Sequence, residues 1–130
     1  MSWNPETRTR FLTAIAERVP AEGVAEVHLF QPITQSGLES GVAVVAAEER
    51  SEHTPHRRLA VYTAKYRLML KGPDRGKWEF AMNAEADAPL VTVDAVVQGV
   101  KRRSGDVDDP ARLTGDEFRE QLTSPTTPGP

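Results

Sequence analysis

Two runs of alternating apolar and polar residues flank Gly72-Pro73-Asp74-Arg75-Gly76 and constrain this chain more than any other feature. Over 58–71, Ala60, Tyr62, Ala64, Tyr66, Leu68 and Leu70 fall on one side. Val61, Thr63, Lys65, Arg67, Met69 and Lys71 fall on the other. Over 77–86, Trp78, Phe80, Met82 and Ala84 oppose Lys77, Glu79, Ala81 and Asn83. A period of two is that of a half-buried strand. Pro and Gly between the runs suit a tight reversal. The two runs therefore predict an antiparallel hairpin with its aromatic rings inward and its cations outward.

The elements before the hairpin follow from local signals. Asn4 can cap a helix, Pro5 suits its first position, and Glu6 complements the positive end of its dipole. Phe11, Leu12, Ile15 and Val19 share one face at helical spacing, and Pro20 and Gly23 end the run. Residues 24–34 alternate as a strand, with Val27, Leu29, Gln31 and Ile33 on one side and Glu26, His28, Phe30 and Pro32 on the other. Pro32 cannot donate to a ladder, which predicts an edge position or an early end. Residues 41–49 are apolar on both sides, as in a strand covered twice. Residues 35–40 form a short turn-rich link.

Residues 90–103 read two ways. Val93, Val96, Val97 and Val100 have helical spacing, with Thr92 as cap and Lys101, Arg102 and Arg103 in the last turn. The branched valines and Gly99 fit a fifth strand instead. Helix is the preferred reading. Residues 105–111 are acidic and read as a linker. Thr114-Gly115-Asp116-Glu117 is a capping-box pattern that opens a short helix, with Leu113 and Phe118 as its hydrophobic staple. Residues 123–130 contain only Thr, Ser, Pro and Gly, a composition expected to stay disordered.

Together these segments predict a two-layer α+β domain. It has an N-terminal helix, a four-stranded antiparallel meander (five-stranded if 90–100 is extended) and one or two C-terminal helices. The domain is expected over 1–104, an acidic linker with a short capped helix over 105–122, and a tail over 123–130.

Charge narrows the use of this fold. The net charge is −3. Residues 57–77, however, hold seven basic residues against Asp74 alone, between flanks that are both acidic. Lys65, Arg67, Lys71 and Lys77 would form a basic stripe on the outward face of the hairpin, joined by Met69 and, from the first strand, by His28 and Phe30. The expected function is a non-catalytic binding or assembly module acting through that face, with a protein partner or as a homodimer that covers Val61 and Met69. One alternative is a nucleic-acid or anionic-ligand binder using the same cations. Another is a carrier or enzyme with a pocket lined by Tyr62, Tyr66 and Trp78.

Several classes lack their signals. Cysteine is absent, so no disulfide, thiol nucleophile or cysteine-ligated metal is available. No phosphate-binding Gly-rich loop, nucleophile elbow or His-Glu-x-x-His pattern occurs, and no cofactor is expected. His53 and His56 have metal-ligand chemistry but unspecific spacing, so no metal site is assigned. No apolar run approaches the roughly 20 residues of a membrane helix, and the amino terminus lacks a signal-peptide pattern. The expected location is cytoplasmic.

Overall fold

The computed structural model describes residues 4–49, 58–85, 92–105 and 108–123. The chain begins with helix α1 (Pro5–Arg18), followed by a 3-10 turn (Ala21–Gly23). Five strands come next: β1 (Val24–Leu29), β2 (Ile33–Gln35), β3 (Leu38–Glu49), β4 (Arg58–Met69) and β5 (Trp78–Ala84). Helix α2 (Val93–Arg103), strand β6 (Ala111–Thr114) and helix α3 (Gly115–Thr123) complete the fold. The six strands form one antiparallel sheet in the order β5-β4-β3-β1-β6, with β2 pairing β3 in line with β1. The α+β class and the antiparallel sheet agree with the sequence.

Each helix starts where a side chain satisfies free backbone donors. Asn4 Oδ1 accepts from the Glu6 and Thr7 amides at 2.9 and 3.3 Å. Thr92 Oγ1 accepts from the Ala95 amide at 3.1 Å, which settles 93–103 as helix rather than strand. At α3 the capping box is reciprocal: the Glu117 amide donates to Thr114 Oγ1 at 3.1 Å, and the Thr114 amide to Glu117 Oε1 at 3.0 Å.

Strand ends are set by turn chemistry. β1 stops short of Pro32, and the chain resumes as the exposed three-residue β2. Ser36 and Gly37 both have positive φ, 55° and 76°, the requirement of a two-residue hairpin turn matched to sheet twist. The link expected over 35–40 is thus only two residues long, and β3 begins at Leu38. The β4–β5 reversal turns through Gly72 and Gly76, both at positive φ. It closes with the Gly76 amide donating to the Met69 carbonyl at 2.7 Å.

Both faces of the sheet are covered, but unequally. On the first face α1 and α3 seat Phe11, Leu12, Ile15 and Phe118 against Val27, Leu29, Ala43, Val45, Ala64 and Tyr66. On the second face α2 places Val97 and Val100 against Phe30, Val44 and Val61. This explains why residues 41–49 are apolar on both sides: β3 is buried front and back. Each fully buried Leu, Val or Phe side chain contributes roughly 1.5–3 kcal/mol, so both clusters matter to stability.

The C-terminal region is more deeply built in than its sequence signals. Residues 111–114, read as linker and helix entry, pair with β1 over Glu26–Leu29. Phe118 is completely buried, and Arg119 donates to the carbonyls of Ala21 and Val24 at 3.0 and 3.2 Å. Lys101 donates to Asp109 Oδ1 at 2.5 Å, and that hydrogen bond holds the exposed Asp109 carboxyl below the usual carboxylate range. The tail expected over 123–130 lies outside the described residues apart from Thr123, as do His53 and His56.

Candidate functional site

The predicted β4–β5 hairpin forms, with its register set as follows. Lys65 pairs with Ala81, Arg67 with Glu79 and Leu68 with Trp78. Met69 and Lys77 follow as the next pair, the Met69 amide donating to the Lys77 carbonyl at 3.0 Å. Directly opposed residues project to the same face. Lys65, Arg67 and Lys77 therefore share the second face, and all three are exposed. Helix α2 covers this face over β3 and the near end of β4, leaving the rest of β4 and β5 open.

Electrostatics within the stripe are weakly satisfied. Glu79 lies 3.8 Å from Arg67 and 3.7 Å from Lys77, with all three side chains more than half exposed. Pairs of that kind contribute little in water. One carboxylate shared by two cations leaves net positive charge. Lys65 makes no ion pair with another described residue. Lys71 lies beyond the end of β4, with its stem packed beside Gly37 in the β2–β3 turn.

A groove of about 330 Å³ opens beside Lys65 and Arg67. Phe30, Ile33, Leu38 and Val42 supply its apolar walls, and Gln31, Ser40 and Ser104 its polar points. Segments far apart in the chain build it. After the break at Pro32, β2 pairs with β3 and brings Ile33, which is 45% exposed, to the groove. Phe30 is buried among Val44, Val61, Val97 and Val100 and closes one side. Ser104, the C-cap of α2, brings the end of that helix, with its exposed Arg102 and Arg103, to the margin.

The expected site residues separate accordingly. Lys65, Arg67 and Phe30 meet at the groove, and Lys77, just before β5, extends the stripe. Met69 is half-buried at the far end of β4. His28 stands apart, because β1 pairs with β3 and not with β4. It faces Glu26, whose Oε2 lies 3.4 Å from His28 Nε2 and accepts from Arg112 Nε at 2.8 Å. Val61, one of the two residues expected to drive face-to-face self-association, is buried under α2.

Tyr62, Tyr66 and Trp78 pack into the first-face core. Trp78 stacks on Tyr66 with ring centroids 4.8 Å apart, and Phe11 meets Tyr66 edge-on at 4.7 Å. The Arg10 guanidinium covers the Trp78 ring at 4.4 Å. Only Tyr66 also borders the groove. Burial, the nearby Glu39 charge and a 3.2 Å hydrogen bond to Glu39 push its phenol far above the ordinary value.

Among the residues that sequence reasoning missed, Ile33, Leu38 and Ser104 belong to the groove. The Pro32 break and the Ser36-Gly37 turn are sequence signals for the hairpin that carries Ile33 and Leu38. Nothing local places Ser104 there. Among the described residues no group of three His, Asp or Glu side chains is arranged to hold a metal ion, and no helix is long and apolar enough to cross a membrane. No family model matches the chain, and neither a curated protein nor a solved structure matches it.

Proposed function

We propose that this protein is a non-catalytic binding module that takes an acidic, partly apolar protein segment on the second face of its sheet. The observation that carries the reading is the placement of Lys65 and Arg67 at the rim of a groove walled by Phe30, Ile33, Leu38 and Val42. An apolar side chain entering the groove leaves water, and a neighbouring carboxylate meets cations that the protein itself leaves under-neutralised. The stripe continues past the groove to Lys77, just before β5, a length that suits an extended segment better than one small molecule.

The aromatic residues argue against single-stranded nucleic acid as the main partner. Binding of that kind stacks bases on exposed rings, whereas Tyr62, Tyr66, Trp78 and Phe80 all belong to the first-face core. The cations would then act without a stacking platform.

Fluorescently labelled peptides of alternating Glu and Leu, their Lys–Leu counterparts and an oligothymidine strand test the reading directly. The Glu–Leu peptide is expected to bind, to weaken as salt rises, and to lose at least tenfold in affinity in the Lys65→Glu/Arg67→Glu double variant. Equal binding of the two peptides, or no Glu–Leu binding at low salt, removes the proposal. Preference for oligothymidine with a steep salt slope transfers the face to the nucleic-acid reading.

A further inference from the structure

We infer that β5 pairs with β5 of a second copy, antiparallel about a two-fold axis at Ala81, to make one continuous sheet. β5 ends the strand order, so among the described residues one of its edges has no strand beside it. The hydrogen-bond phase of the β4–β5 ladder tells which groups that edge offers. The Lys77 carbonyl accepts from the Met69 amide at 3.0 Å, and the Glu85 amide donates to the Val61 carbonyl at 2.7 Å. Odd-numbered residues thus turn their backbone groups toward β4. By strand alternation, Trp78, Phe80, Met82 and Ala84 turn theirs outward. No proline interrupts the strand, and Glu79 is its one charged residue, so the usual protections of an edge are sparse.

A two-fold axis at Ala81 uses all four of these residues. It sets Trp78 opposite the partner's Ala84 and Phe80 opposite the partner's Met82. Ala81 then meets its own copy as a non-hydrogen-bonded pair, where Cα atoms approach to about 4.5 Å and a small side chain is needed. On the same face Lys77 lies opposite the partner's Glu85, twice by symmetry, and Glu79 opposite the partner's Asn83. On the other face a methionine meets an aromatic ring at Phe80.

Neighbouring registers are worse. An axis at Phe80 loses the Ala84 rung and sets Lys77 against Asn83. An axis at Met82 loses the Trp78 rung and sets Glu79 against Glu85, a like-charge pair. Charge complementarity therefore selects both the occupant and the register. Because the axis runs perpendicular to the sheet, the Lys65–Arg67 faces of both copies look the same way. The pairing itself does not depend on what those faces bind.

Light scattering on the full chain, followed over a dilution series, tests this. The expected mass is twice 14.3 kDa, falling to one copy on dilution. Ala81→Asp places two carboxylates at the axis and is expected to give the single-copy mass while still unfolding cooperatively, since Ala81 is exposed in the single copy, while Ala81→Ser keeps the dimer. Lys77→Glu and Glu85→Lys are each expected to weaken self-association, and mixing the two variants is expected to restore a dimer of one of each. A single-copy mass for the parent chain at every concentration overturns the proposal. So does an Ala81→Asp dimer, or a mixture of the two charge variants that stays dissociated.

Discussion

The ring of Tyr66 lies over Gly41, its partner across the β3–β4 ladder, and occupies the space where any other residue would carry its Cβ. Tyr66 is in turn held by Phe11 from α1 and by Trp78 from β5. The missing side chain at Gly41 is therefore what lets the largest fully buried residue of the core lie flat on the sheet. Gly41→Ala is expected to destabilise the protein by about 1–3 kcal/mol through overpacking. Urea unfolding checks this, with the midpoint lowered and the slope unchanged.

Alkaline pH acts on the same residue. The Tyr66 phenol is held far above its ordinary value of 10.0 in the folded protein, chiefly by burial. The folded state then keeps a proton that the unfolded state releases. This raised group contributes stability in full below the unfolded value and progressively less as pH rises above about 10. Unfolding midpoints are expected to fall through that range in the parent chain. In Tyr66→Phe the fall is expected to be smaller.

Phe118 tests whether the C-terminal region belongs to the domain. It is completely buried against the first-face core, so Phe118→Ala is expected to cost about 3–5 kcal/mol. Thr114→Ala, which removes half of the capping box, is expected to cost about 1 kcal/mol. Removal of residues 105–130 deletes β6 and α3 together and is expected to leave a chain without a cooperative melting transition. A truncated chain that melts like the parent would contradict this.

Val97 tests the second layer separately. Val97→Asp puts a carboxylate without a partner between α2 and β3, a placement that favours undocking the helix over burying the charge. Amide exchange is expected to accelerate over 93–103 while β1, β3 and β4 remain protected. Binding of the Glu–Leu peptide is expected to weaken as well, because Ser104 and the end of α2 leave the groove.

Local chemistry made much of the fold legible. The caps at Asn4, Thr92 and Thr114 work through side chains two or three residues from the donors they satisfy, so the pattern suffices to find them. Alternation in β4 and β5 fixes which side chains share a face, and the glycines of the reversal fix where the strands turn. Less legible was Ala111–Thr114, a four-residue strand with one buried side chain, Leu113. A segment so short has no period to read, and its hydrogen bonds go to β1, more than 80 positions earlier in the chain.

The sequence by itself determined the N-terminal and C-terminal helices, the hairpin and the shared face of Lys65, Arg67 and Lys77, because those follow from interactions between near neighbours. Tertiary structure alone decided which face α2 covers, that β1 and His28 lie across β3 from the cations, and that Phe30, Ile33, Leu38 and Ser104 converge on one groove. The physical reason is that strand order and helix docking depend on burying apolar surface from distant segments together. That requirement constrains the chain as a whole and is written in no single stretch of it.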